Sequence, residues 1–548
     1  MEEGNNSTIE KHESQVGKKL VKGATILAVA GILSKVLGAF FRIPLTNLIG
    51  AEGQAYYGAA YPVYSFFLVL SSAGIPVAIA RMVAERATLK DHKNAHRVYV
   101  ASLYLMITIG VISFVICFFG ADYIAGLLKN PGAAIAIKAL APALLLAPLV
   151  SSYRGYFEGY QNMFPTGLSQ VLEQFARVIV GLTLSFLLIS KSLELAVGGA
   201  TFGASAGLAV ALVVLIIIFK KDRKKKGDLL EQSVKPVESK KSLLKELIEI
   251  SIPITIGSTV MPLMMIIDNA VIMRRLQATG WTYIEAKKLY GLISGFTDPL
   301  ISLPGVFIDA ICISLMPAVT AAFTLKLKKE LDKNVETGMK TMMIIAFPCA
   351  IGLIVLAKPI LHLLYPARLD EADMAVLNLQ ISSLTILTLS FTRVLSGALQ
   401  GIRKMVLPVI NLFIGAVVKI IFTYTLVGIP SLNINGAAIG SVIAYLVSGI
   451  LNFLAMKKYA DLELNLTDVF VRPFVSAAIM GASAIGVYKL SYSIINSNLI
   501  ATFISIMIAV AVYFVLVFET KAIKREDAAL IPKGDLIIRI AEKLHLIK

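Results

Sequence analysis

Ser151-Ser-Tyr-Arg-Gly-Tyr-Phe-Glu-Gly-Tyr-Gln-Asn-Met-Phe-Pro-Thr-Gly-Leu-Ser-Gln-Val-Leu-Glu-Gln-Phe-Ala-Arg177 lies between two apolar runs, each long enough to cross a bilayer. It carries Arg154, Glu158, Glu173 and Arg177, glycines at 155 and 159, and a helix-restarting Pro165. Ionised side chains at or near hydrocarbon are costly and need a partner or a role. The stretch has an echo: Gly155, Gly159, Met163 and Arg177 recur as Gly397, Gly401, Met405 and Lys419, all at an offset of 242 residues, with Pro408 one residue out of register with Pro165. Two looser matches precede it, Gly31 and Arg42 against Gly257 and Asp268, and Gly74 against Gly305, at offsets of 226 and 231. Three matches in order describe a repeat of six helices. An even number of helices returns the chain to its starting side, so the two copies run parallel, related by an axis along the membrane normal, with a central cavity between them.

Composition agrees with that class. The chain is 57% hydrophobic and only 16% charged, where a soluble domain is typically about 25% charged; mean hydropathy is +0.78. Repeated runs of about 20 apolar residues indicate a polytopic all-α membrane protein. The short alternating segments of a β-barrel are absent. The pattern predicts fourteen transmembrane helices, the first over 20–47, the eighth over 287–318 and the last over 497–518. The parts are a disordered N-terminus (1–17), a first lobe of six helices (18–219), a basic linker (220–243), a second lobe of six (244–458), an appended helix pair (459–520) and an amphipathic tail (521–548).

The net charge of +17 does not point to nucleic acid. Its lysines and arginines cluster in short loops after the even-numbered helices, as at Arg81 to Arg97, Lys220 to Lys226 and Lys326 to Lys333. The positive-inside rule then places both termini in the cytoplasm. Arg274 and Arg275, after the seventh helix, are the exception. Cys117, Cys312 and Cys349 sit in apolar runs without CxxC spacing, and the five histidines show no ligand spacing, so no metal, disulfide or cofactor is expected.

The candidate site residues are the charges inside the spans. Lys35 and Arg42 lie two turns apart and share a helix face. With Arg177, Arg393 and Lys419 they form a set of cations that would suit a phosphate or pyrophosphate cargo if they line the cavity. Asp268, Asp298, Asp309 and Glu173 are candidates for coupling to an ion, sodium or proton. The plainer reading of each is a charge snorkelling from a helix end or a buried pair joining helices; Glu173 and Arg177, four apart, are spaced for such a pair. Gly74, Pro76, Gly155, Gly159, Pro165, Gly397, Gly401 and Pro408 are the expected hinge and gate positions.

Ser34-Lys-Val-Leu-Gly38, Ser72-Ala-Gly-Ile-Pro-Val-Ala-Ile-Ala-Arg81, Arg154-Gly-Tyr-Phe-Glu-Gly159, Leu289-Tyr-Gly291 and Leu395-Ser-Gly-Ala-Leu-Gln-Gly401 resemble the stage V sporulation protein B-like polysaccharide-biosynthesis group. That group lies within the superfamily of multidrug, oligosaccharidyl-lipid and polysaccharide exporters. The resemblance, over about 18–530, implies a flippase that moves an undecaprenyl-pyrophosphate-linked saccharide, such as the peptidoglycan precursor lipid II, from the inner to the outer leaflet of a bacterial cell membrane. It implies pyrophosphate held by Lys35 and Arg42; a monomer with membrane lipids around it is expected. The chain departs from the Gram-negative lipid II flippases around Leu68 to Leu70 and at Pro299, where that group has basic residues. The competing reading is a cation- or proton-coupled drug antiporter of the same superfamily. An enzyme acting on polyprenyl carriers would want a large outer loop with paired carboxylates or a metal, and the loops are short.

Overall fold

The computed structural model describes residues 2–227, 236–523 and 542–543, without the side chains of 2–22, 24, 225, 226, 306, 307, 309, 310, 313 and 314. The described residues are helices joined by short turns, with no strand among them. Twelve helices are long and apolar enough to cross a membrane, and the chain is a multi-pass membrane protein.

Twelve is fewer than the fourteen expected, for two reasons. The first helix, α1 (Glu2–Ser72), is interrupted at Gly50, whose φ of 64° breaks the helical run; such a positive φ is cheap for glycine. The rings of Phe41 and Tyr57 are 6.3 Å apart, where an unbroken helix would separate them by about 24 Å. The chain therefore doubles back there, and Gln54 Nε2 closes the bend on Thr46 Oγ1 at 2.9 Å. The apolar stretch Thr25–Thr88 counts as one helix although it contains that fold. The first turns of α1 cover the residues expected to be without structure, 2–17.

The second reason is the eighth span. The sequence predicts one helix over 287–318; the structure instead has α9 (Tyr283–Gly291), a wide π-turn (Leu292–Thr297), α10 (Asp298–Ser302) and α11 (Gly305–Thr324). Pro299 and Pro304 lack the amide hydrogens that a continuous helix uses. The buried Tyr365 hydroxyl donates to the Gly295 carbonyl at 3.2 Å within the π-turn. A Thr282–Glu285 capping box starts α9.

The remaining helices are α2 (Gly74–Thr88), α3 (His92–Phe119), α4 (Ala121–Leu127), α5 (Ala134–Gly159), α6 (Phe164–Leu188), α7 (Leu193–Lys226), α8 (Lys240–Ala278), α12 (Lys328–Val355), α13 (Ala357–Leu364), α14 (Leu369–Gly401), α15 (Val406–Val427), α16 (Asn435–Ala460), α17 (Arg472–Ile495) and α18 (Asn498–Glu519). They form two compact units, Met1–Ala270 and Val271–Lys548, and the division falls inside α8. The amphipathic tail expected over 536–547 lies outside the described residues except for 542–543, as do linker residues 228–235.

Between membrane helices, association rests on close packing and small residues, and both units use the same contact. A Cβ on Gly155 would lie 2.8 Å from the Pro76 carbonyl oxygen; one on Gly159 would lie 2.6 Å from Val83 Cβ and 2.9 Å from the Ala80 oxygen. In the second unit, a Cβ on Gly397 would meet the Cys312 oxygen at 3.6 Å, and one on Gly401 would meet Val319 Cβ at 3.0 Å and the Met316 oxygen at 3.2 Å. The same atoms recur, with α5 on α2 copied as α14 on α11, and the partner residues are offset by 236. The turns repeat as well. Lys90 and Lys326 have φ of 58° and 57°, and Gln161 and Arg403 have φ of 55° and 64°. The repeat is real, but its register at α2 is 236 rather than 231. Gly74 and Gly305 are not counterparts: a Cβ on Gly74 would lie 2.2 Å from the Ser251 oxygen of α8, and one on Gly305 would meet nothing within 4 Å.

Overpacking a tight contact costs typically about 1–3 kcal/mol. Gly159→Ala and Gly401→Ala should each lower the thermal unfolding midpoint of the detergent-purified chain, and Gly305→Ala should not. Equal midpoints for all three variants would refute the shared crossing.

Candidate cation-lined site

In the first unit Arg42 of α1 and Arg177 of α6 meet a row of tyrosines on α1. Tyr57, Tyr61 and Tyr64 are spaced four and three residues apart, so they share one helix face. Tyr57 and Tyr61 stack at 5.7 Å with planes 10° apart, and Tyr64 follows 5.7 Å from Tyr61. Arg177 Nη2 donates to the Tyr57 hydroxyl at 3.2 Å, and its guanidinium lies 5.3 Å from the Tyr61 ring centre. Arg42 sits 4.8 Å over the face of Tyr57. One phenol ring thus contacts two guanidinium groups, one at its hydroxyl and one at its face. Cation–π contacts of this kind are worth up to about 2 kcal/mol when desolvated.

The expected Glu173–Arg177 pair is not formed. Glu173 Oε2 accepts from Arg154 Nη2 of α5 at 2.8 Å, and Arg154 Nε donates to Ser169 Oγ at 3.0 Å. Ser169 and Glu173 are one turn apart, so the planar fork of Arg154 spans both. An i,i+4 pair on one helix is worth only about 0.2–0.5 kcal/mol and is outcompeted by this bidentate link between helices. Both side chains are mostly buried, 17% and 18% exposed. With Glu173 engaged by Arg154, no carboxylate among the described residues pairs with Arg177.

The backbone behind these charges is held closely. A Cβ on Gly203 would lie 2.6 Å from the Arg177 oxygen, and one on Gly207 would lie 2.5 Å from the Glu173 oxygen. Glycines four apart on α7 let α6 approach at the two residues that carry the charge.

The second unit repeats the frame and changes the chemistry. A Cβ on Gly440 would approach the Lys419 oxygen at 3.4 Å and Thr423 N at 3.3 Å, as one on Gly203 approaches the Arg177 oxygen and Gly181 N; Lys419 therefore stands where Arg177 stands. At the positions of Arg154, Ser169 and Glu173 are Ser396, Asn411 and Gly415. There Asn452 Nδ2 donates to Ser396 Oγ at 3.0 Å and Asn411 Nδ2 donates to Asn452 Oδ1 at 2.8 Å. A neutral amide network replaces the ion pair.

Of the expected residues, Arg42 and Arg177 are the two placed on the tyrosine rings. Lys35 is exposed on α1, Asp268 is half-buried on α8, Asp298 is exposed at the start of α10, and Arg393 is exposed on α14. The side chain of Asp309 lies outside the described residues. Gly155 and Gly159, expected at a gate, are packed contacts, as is Gly401. The tyrosines went unread because aromatics in an apolar helix pass for core; the spacing 57, 61, 64 was the available signal.

The chain matches the family model of polysaccharide biosynthesis proteins over residues 20–323 and the MatE family model over residues 291–425. The lipid II flippase MurJ of Bacillus subtilis (strain 168) is 29% identical over 484 residues, covering 85% of this chain and 88% of that protein. Stage V sporulation protein B of the same organism is 27% identical, covering 95% and 99%. A solved structure of a multidrug resistance MATE family transporter of the MOP superfamily, in an inward-facing conformation, shares the fold with a TM-score of 0.68 at 18% identity, covering 78% and 94%.

Breaking a buried ion pair from one side leaves an uncompensated charge and costs about 3–5 kcal/mol. Arg154→Ala or Glu173→Ala alone should destabilise the protein strongly, and the double variant should recover part of the loss. Unfolding midpoints of the three variants in detergent measure the coupling; strictly additive losses would show that the pair carries none.

Proposed function

The chain belongs to the polysaccharide biosynthesis protein family, and on that footing we propose that it is a flippase for an undecaprenyl-pyrophosphate-linked saccharide, with lipid II as the cargo that fits best. The observation that carries this reading is the pair of guanidinium groups on Tyr57. Arg177 has tyrosines for partners and no carboxylate among the described residues, so a cationic group within the membrane span is left to meet an anion. Pyrophosphate suits guanidinium forks better than any neutral cargo. Arg42 and Arg177 hold the pyrophosphate, and Lys35, two turns along α1 from Arg42, extends the same face toward it. The likeness to the B. subtilis lipid II flippase over 88% of that protein supports the cargo assignment.

Further parts of the proposal concern how the protein works. Two six-helix lobes, 18–219 and 244–458, alternate access to a central cavity, with residues 220–243 as linker and 459–520 as an appended pair. The folded-back first helix and the broken eighth bring the spans to fourteen, with both termini cytoplasmic. Gly74, Pro76, Gly155, Gly159 and Pro165 act as one pivot and Gly397, Gly401 and Pro408 as the other, because tight backbone crossings let helices turn on each other without opening a gap. Lys419 and Arg393 serve the cargo from the second lobe. Asp268, Asp298 and Asp309 are the candidates for sodium or proton coupling; Glu173, engaged by Arg154, serves structure instead. The protein acts as a monomer and as a transporter rather than an enzyme.

The second reading is a cation-coupled drug antiporter, which the fold shared with a MATE transporter supports. Expression in a drug-sensitive host separates the two, since resistance lost in Asp268→Asn would favour the antiporter.

Truncating one partner of a desolvated charge pair costs about 2–5 kcal/mol. In cells depleted of their own lipid II flippases, Arg177→Ala and Arg42→Ala should each reduce outer-leaflet lipid II by at least about tenfold at unchanged protein level. Arg177→Lys, which keeps the charge and loses the fork, should fall between. Wild-type protein that fails to restore outer-leaflet lipid II would end the cargo assignment; variants as active as wild type would end the site assignment.

A further inference from the structure

The repeat allows the same place to be inspected twice, and at one place the two copies differ. Thr88-Leu89-Lys90 and Thr324-Leu325-Lys326 are identical in sequence and in backbone: Lys90 N donates to the Ala87 oxygen at 3.0 Å and Lys326 N to the Phe323 oxygen at 3.1 Å. In the first unit the space beside this turn is filled. Arg86, 8% exposed, reaches Glu238 at 2.6 Å and Glu246 at 2.9 Å. Asn94 holds the end of the linker, donating to the Pro236 oxygen at 3.2 Å and accepting from Glu238 N at 3.0 Å.

In the second unit Ala322 stands at the position of Arg86. A crevice of about 500 Å³ remains there, with Lys326, Lys328 and Arg403 among its lining over a floor of Phe323 and Leu331. Lys328 is engaged by Asp332 at 2.8 Å and by the Asp461 carbonyl. Lys326 and Arg403 pair with no carboxylate among the described residues. A second, apolar depression lies along α11, lined by Met316, Pro317, Ala321 and Leu325, and meets the crevice at Thr324. Leu325, Met405 and Val406, beside these cations, are 67%, 64% and 67% exposed.

Cations just past helix C-termini also complement the helix dipoles. That account applies equally to Lys90, where the space is filled. It does not explain an open crevice continuous with an apolar groove. Exposed aliphatic side chains next to unpaired cations are the surface chemistry of a lipid headgroup site.

We propose that the second unit binds one anionic glycerophospholipid here, its phosphate on Lys326 and Arg403 and an acyl chain in the groove of Met316 to Leu325. In the first unit Arg86 and linker residues Pro236 and Glu238 occupy the same place, so among the described residues the site belongs to the second unit alone. The proposal is independent of the cargo, because none of these residues belongs to the tyrosine cluster.

Native mass spectrometry of the full chain, exchanged from detergent into phosphatidylglycerol or phosphatidylcholine of matched chains, tests it. Each lysine or arginine near anionic lipid contributes a factor of about five in affinity. The Lys326→Gln/Arg403→Gln variant should therefore retain about 25-fold less phosphatidylglycerol, and retention of phosphatidylcholine should not change. Ala321→Trp, which fills the groove without touching a charge, should weaken phosphatidylglycerol as well, and Lys90→Gln should not. Unfolding midpoints equal to wild type establish that the variants fold. Equal retention of the two lipids by wild type, or a double variant that retains phosphatidylglycerol like wild type, overturns the proposal. So does preferential retention of undecaprenyl pyrophosphate when it is added in competition with phosphatidylglycerol.

Discussion

Two helix backbones come so close at Gly155 and Gly159 that a single carbon atom would not fit between them. Much of the first unit depends on that approach. It sets α5 against α2, and with it the position of Arg154, which faces α6 from α5. Arg154 in turn engages Glu173, and Gly203 and Gly207 hold the backbone of α6 where Glu173 and Arg177 project. The charged cluster is therefore built on packing between small residues, the main force available when lipid replaces water as solvent. The second unit keeps the packing at Gly397 and Gly401 and discards the ion pair, so the frame does not require the charge.

The arithmetic of charge in the first unit is uneven. Of Arg154 and Arg177, which flank Glu173, geometry assigns that carboxylate to Arg154. The tyrosines supply what a carboxylate would otherwise provide, by ring face and by hydroxyl, without cancelling the charge. A guanidinium kept in place and left positive is a different object from one locked in a salt bridge. Only the first can exchange its partner for a passing anion.

What could be read from sequence divides along physical lines. Helix class and the repeat at Gly155 and Gly397 were legible because the identical residues perform identical packing. The match of Gly74 to Gly305 misled because glycine identity was used without its contact; the triplet Thr88-Leu89-Lys90 and its copy carried the right register. The pair Glu173–Arg177 misled because spacing along one helix is silent about an arginine on the next. The eighth span read as one helix because hydropathy does not register missing amide hydrogens at Pro299 and Pro304. Tyr57 was hidden by its own nature, an aromatic whose hydroxyl matters only once Arg177 is beside it.

The register of the repeat is 236 through α2, the following turn and the short helices α4 and α13, becomes 242 through α5, α14 and the turns at Gln161 and Arg403, and returns to 237 at Gly203 and Gly440. Both changes fall in the connections from α4 to α5 and α13 to α14, and from α6 to α7 and α15 to α16. Within each unit these connections lie at the end opposite the matched turns at Lys90 and Gln161 and at Lys326 and Arg403, and two of them hold left-handed residues of their own, Lys129 and Asn433. The copies differ in length at these connections, while the turns at Lys90 and Lys326 and at Gln161 and Arg403 keep their bond pattern. Within each unit, then, the matched turns are fixed joints, and the connections opposite them are tethers whose lengths differ between the copies without disturbing the joints.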